Sequence, residues 1–179
     1  MFVTRARALL AAAVCASTLA LTGCAGGAPG VAAEVGDKRI TESQVNRAYD
    51  GVQQAFGTQA QVNKQAVIDA LIRGVICDGL AAQRNITITD AERDARLTGD
   101  ASGEKLLAVA AAKGVAYDLA DEQIIAEKLG ADAYTKQLAT ADVTVNPRYG
   151  TWTTVNGQTG LVAKPGSLSS PAATPTPAG

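Results

Sequence analysis

The feature that most constrains this chain is the stretch over residues 63–92, NKQAVIDALIRGVICDGLAAQRNITITDAE. On a wheel of 3.6 residues per turn, Val67, Ile68, Leu71, Ile72, Val75 and Ile76 share one broad apolar face. Ala70, Gly74, Cys77 and Ala81 recur on the opposite side as a strip of small residues. A helix that is non-polar on both sides has to be covered on both sides. At about 1.5 Å per residue it spans roughly 30 Å, the width of a small domain. The spacing therefore predicts a central helix with smaller elements built around it. Asn85 tolerates the left-handed conformation that closes a helix, and the alternating residues 86–89, ITIT, read as a short extended link. Thr89 followed three residues later by Glu92 is a capping box, so a new helix is expected to start at Asp90.

This order of parts resembles the N-terminal domain of the SurA and PrsA family of periplasmic and cell-surface folding chaperones. The resemblance is carried by Asp69, Leu71, Ile72, Ala81, Arg84, Ile86, Thr87, Thr89, Asp90 and Glu92. Gly74, Asp78 and Gly79 depart from it, and Asp78 stands where the family is usually apolar. The implied fold is mainly α, a helical domain with a long central helix and a small β-sheet or hairpin pairing N- and C-terminal strands.

The first residues bear on location. Arg5 and Arg7 precede an apolar run over residues 8–21 that ends in Leu21, Thr22, Gly23 and Cys24. A charged start, an apolar middle and a small-residue cleavage site are the parts of a secretory signal. The LTGC ending resembles the lipobox of bacterial lipoproteins, which makes residues 1–23 the signal peptide and Cys24 the lipid-modified first residue of the mature chain. The apolar run is short for a membrane span of about 20 residues. The expected location is thus the extracytoplasmic side of the cell membrane, held by lipid. Loss of Arg5 and Arg7 takes the 16 basic residues to 14 against 17 acidic ones, a net charge of −3, which does not suggest nucleic acid as a partner. Cys15 leaves with the signal and Cys24 carries lipid, so of the three cysteines only Cys77 remains a thiol, and the mature chain has no intramolecular disulfide. Among small residues on a helix, Cys77 reads as a buried hydrophobe.

The chain contains no histidine. Ser-His and Cys-His nucleophiles and histidine-ligated metal sites are therefore excluded. Asp90, Glu92 and Asp94, and likewise Asp118, Asp121 and Glu122, are read as helix-start or solvated-face charges, favoured by exposed amides and the helix dipole. No calcium loop and no phosphate-cradling glycine motif is found, and no cofactor is expected.

Around the central helix, residues 24–30 form a flexible tether and residues 31–40 a strand or hairpin turning at Gly36 and Asp37. Thr41 with Gln44 makes a second capping box, followed by Val45, Ala48, Tyr49, Val52 and Phe56 at helical spacing. Residues 57–61 are a loop. After a loop at 100–103, residues 104–113 read as a helix stopping at Gly114, and residues 118–139 as one helix or two broken near Gly130. Residues 142–155 alternate around a turn at Asn146, Pro147 and Arg148, giving short strands from Val143 and from Tyr149, and Asn156–Gly157 offers another tight turn. The VNPRYGTW segment at residues 145–152 resembles the end of actinobacterial-type lipoproteins related to SurA, where it would pair with the N-terminal strand. The folded domain is placed at residues 31–155 and a Pro, Ser, Thr and Ala-rich disordered tail at 156–179.

The resemblance implies a non-enzymatic, holdase-like chaperone binding unfolded or extended segments of secreted and envelope proteins. In larger members a parvulin-type isomerase domain is inserted; residues 98–142 are too few to hold it, and the histidines of such a site are absent. The candidate polypeptide-contacting residues are Tyr49, Val52, Phe56, Arg73, Ile76 and Trp152. For Tyr49, Val52 and Phe56 the helical spacing favours the core, and Trp152, the single tryptophan, is expected to pack against the helices. With aromatic residues at 4%, strong anchors are few. The alternative is an envelope scaffold lipoprotein that docks one specific partner.

Overall fold

The computed structural model describes residues 29–57 and 62–164. The signal segment, the lipobox residues Leu21, Thr22 and Gly23, and Cys24 lie outside the described residues, as does the tail after Lys164.

The central helix, α2, runs Lys64–Arg84. Asn63 caps its start by accepting the Ala66 N–H at 2.9 Å, and Asn85 closes its end at φ 53°. Both faces are covered, as the sequence requires. Ile68, Ile72, Ile76, Cys77 and Leu80 enter one apolar cluster with β1 (Val31–Val35) and with Tyr134, Leu138 and Leu161. Val67 and Ala70 enter a second cluster with α1 (Glu42–Phe56) and α5 (Lys113–Leu129). Ile68 and Ile72 are 0% exposed, so the helix sits between two cores rather than on the surface of one.

Strand β1 is the middle of a three-stranded antiparallel sheet. It turns through Gly36, at φ 56°, into β2 (Lys38–Thr41), and its other edge takes β3 (Val143–Val145) in the register Ala33↔Val145. The N- and C-terminal parts of the chain are thus sewn together, with Ala32 and Ala33 buried against the helices. The second strand after Pro147 starts at Thr151 rather than Tyr149, and belongs to a separate hairpin of β4 (Thr151–Val155) and β5 (Gln158–Val162). Asn156 and Gly157, at φ 51° and 79°, make its two-residue turn. The boundary at residue 155 is therefore corrected. Residues 158–162 belong to the fold, because Thr159 and Leu161 are buried and the strand is bonded along its outer side to α2.

Both expected capping boxes are formed, Thr41 with Gln44 at α1 and Thr89 with Glu92 at α3 (Asp90–Leu97). The helix expected over 104–113 is displaced: α4 spans Ala101–Leu107, with Asp100 capping the Gly103 N–H at 2.7 Å, so the expected loop is its first turn. Gly114 lies in the first turn of α5 rather than after a helix. Packing overrides propensity here. A β-carbon on Gly51 would lie 2.5 Å from the Ala111 backbone, so α1 seats on a tight turn where strong helix formers would otherwise continue. The break at Gly130, φ 86°, separates α5 from α6 (Ala131–Thr140).

Candidate functional site

Three polar side chains on one row of α2, at positions i, i+4 and i+8, reach the outer edge of β5. In a hairpin with a two-residue turn, Gln158, Gly160 and Val162 bond to β4, which leaves the backbone groups of Thr159 and Leu161 facing outward. Gln65 Nε2 donates to the Leu161 carbonyl at 2.6 Å, Asp69 Oδ1 accepts the Leu161 N–H at 2.7 Å, and Arg73 Nη2 donates to the Thr159 carbonyl. The helix thus supplies to β5 what a further strand would have supplied. Gly160 allows the approach, since a β-carbon there would stand 3.0 Å from Asp69 Oδ1.

Arg73 is the hub of this lock. Its Nε donates to Asp69 at 2.6 Å, its Nη1 to Glu122 of α5 at 2.8 Å, and its guanidinium lies 5.7 Å from the centre of the Trp152 ring. Burial works against the charge, yet Asp69 and Glu122 outweigh it and hold the guanidinium above its usual pKa. Trp152 donates from Nε1 to the Leu138 carbonyl at 3.3 Å and packs on the first core cluster. Arg73 and Trp152 therefore hold the hairpin onto the helices instead of forming an open contact surface.

The acids of α5 also differ from expectation. Asp121, 5% exposed, receives Nε and Nη2 of Arg93 at 2.7 and 3.0 Å, and Asp118 is half-buried against α2. These positions lie in the middle of α5, not at its start, and face α2 and α3 rather than water. Asp90 and Glu92 do stand in the first turn of α3, while Asp94 accepts the Tyr117 hydroxyl at 2.9 Å. Cys77 is buried, with its Sγ 3.8 Å from the Tyr134 hydroxyl. Burial pushes the thiol up to about 12, against the smaller effect of that hydroxyl, so it stays protonated and unreactive.

An apolar groove of about 560 Å³ lies between the β1–β2 turn, the second half of α2 and the end of α6. Val35, Val75, Ile76 and Leu80 form its floor, and Asp37, Lys38, Arg39, Asp78 and Asp142 its charged rim. Nothing lies within 4 Å of where a β-carbon on Gly79 would be, so α2 is open at this one turn. Of the six expected contact residues only Ile76 lines the groove, and at 7% exposure it serves as floor. Val52, 4% exposed, is core. Tyr49 and Phe56 pack on the second cluster under Lys64 and Lys105, at 5.6 and 5.9 Å from the ring centres. The expected residues thus fall into three separate places and form no single surface. In the sequence the groove is marked only by Asp78 and Gly79, a charge and a missing side chain on a helix that is non-polar on both sides.

Among the described residues no group of acids and cysteines is arranged to hold a metal ion, and no helix is long and apolar enough to cross a membrane. No family model, curated protein or solved structure matches this chain.

Proposed function

We propose that this protein is a lipid-anchored, non-enzymatic domain of the cell envelope that binds extended apolar segments of secreted polypeptides, as its resemblance to the SurA and PrsA chaperones implies. The observation that carries this reading is the groove. Its volume falls within the range of about 300–1,000 Å³ common to ligand sites, its floor is aliphatic and its rim charged. A floor of valine, isoleucine and leucine without an aromatic anchor gives weak binding tolerant of sequence, which suits a holdase. The test is aggregation of an unfolded client followed by light scattering. The protein slows it, and Val75→Glu, which puts a charge on the groove floor, abolishes the effect while leaving the circular dichroism spectrum intact. Unslowed aggregation in the presence of the unmodified protein defeats the proposal.

One observation favours a second reading. Among the described residues the exposed large hydrophobics are Val155 and Val162, at 49% and 42%. So little exposed apolar area suits a scaffold docking one envelope partner better than a surface gripping many clients. Saturable binding to a single folded protein, with no effect on aggregation, would select it.

A further inference from the structure

Gly74 stands midway along α2, where that helix meets α5 in the most extensive helix–helix contact of the molecule. A β-carbon on Gly74 would overlap the Oδ1 and Cγ of Asp118, so the α5 carboxyl fills the space a side chain on α2 would take. Two neighbouring acids on α5 are matched. Glu122, one turn along α5, has Arg73, and Asp121 has Arg93. Asp118 has no ion-pair or hydrogen-bond partner among the described side chains. It faces Asp78 from α2, Asp121 from its own helix and Arg93 from α3. Arg93 is already spent, with Nε and Nη2 on Asp121 and Nη1 on Asp90 at 2.9 Å.

We propose that the Gly74–Asp118 seam is a proton-operated clamp: with Asp118 neutral the two helices close on each other, and its ionisation beside Asp78 and Asp121 loosens them. Burial first, and the Asp78 and Asp121 carboxylates next, push Asp118 up to about 7, against the opposing pull of Arg93. Burial, followed by Asp121, raises Asp78 as well. The clamp therefore works near neutrality. Val75, Ile76 and Asp78 of the groove stand on the turn of α2 that follows Gly74, so loosening the seam moves the groove wall. The clamp operates whether or not the groove is occupied.

The sign follows from proton linkage. The folded chain keeps a proton that the unfolded chain releases above its ordinary value of 3.8, so this contribution to stability is complete below that pH and is lost as pH rises to about 7. The unfolding equilibrium constant rises by up to about tenfold per pH unit in that window. Three measurements test this. In carbon-13 NMR the Asp118 carboxyl of the unmodified protein titrates near neutrality, and Asp78→Asn lowers its midpoint. Asp118→Asn flattens the pH-dependent rise in the unfolding constant, leaving the part that Asp78 contributes. Amide exchange, corrected for its intrinsic pH dependence, shows protection on the facing turns of α2 and α5 falling between pH 6 and pH 8. An Asp118 midpoint near the ordinary value, an unchanged stability profile in Asp118→Asn, or equal protection at both pH values would overturn the clamp.

Discussion

Arg73 joins three elements through one planar fork, binding Asp69 of its own helix, Glu122 of α5 and the Thr159 carbonyl of β5. Arg73→Ala strands two carboxylates and an edge carbonyl. The expected cost is about 2–4 kcal/mol, a little under that of stranding a fully buried charge, because Asp69 and Glu122 keep 26% and 25% of their side-chain surface. Arg73→Lys keeps the charge but cannot place donors on all three acceptors, so urea unfolding should put it between the parent and the alanine variant. Cys77 gives a second expectation. With its thiol raised to about 12, an alkylating reagent at pH 8 leaves it unmodified in the folded protein and labels it on unfolding, as peptide mapping would show. The buried role of Cys77 was legible from its neighbours on the wheel. The roles of Arg73, Asp118 and Asp121 were not, because a wheel shows which way a side chain points and not which charge a distant helix brings to meet it.

At the scale of elements, local chemistry and packing divide the fold between them. Thr41 and Thr89 each close a capping box, and Thr89→Ala is expected to cost about 1 kcal/mol, read as a shift in the urea midpoint with an unchanged slope. Gly51→Ala is expected to cost about 1–3 kcal/mol despite alanine's better helix propensity, since the new methyl meets the Ala111 and Ala112 backbone. The same division explains what the sequence disclosed. Helices α1, α2 and α3 each begin at a side-chain cap, and α1 and α2 stop at Gly57 and Asn85, both at positive φ, so these bounds could be read locally. The α4–α5 boundary is set by where α1 crosses, and residues 104–113 carry no local mark of it. Strand β5 carries little local signal, because Gln158–Val162 alternates weakly; its order comes from Gln65, Asp69 and Arg73, all on another element.

For the whole molecule, α2 both supports the two cores and forms one wall of the groove. Its first half is locked to β5, while its second half, beyond Gly74, carries Val75, Ile76 and Leu80 at the groove and leaves Gly79 open. That asymmetry was only half legible: the long helix and the sheet joining β1 to β3 follow from the apolar pattern, whereas the groove depends on how the β1–β2 turn and α6 stand off α2. Whether the groove holds polypeptide is decided by site-specific photocross-linking in cells, with the probe at Gln83 on the groove and a control probe at exposed Lys105 on α4. Cross-links to many secreted proteins from Gln83, with none from Lys105, is the expected result. A single product from Gln83 would replace the chaperone reading with a dedicated partner, and no product, or the same products from both positions, would contradict the groove as a polypeptide site.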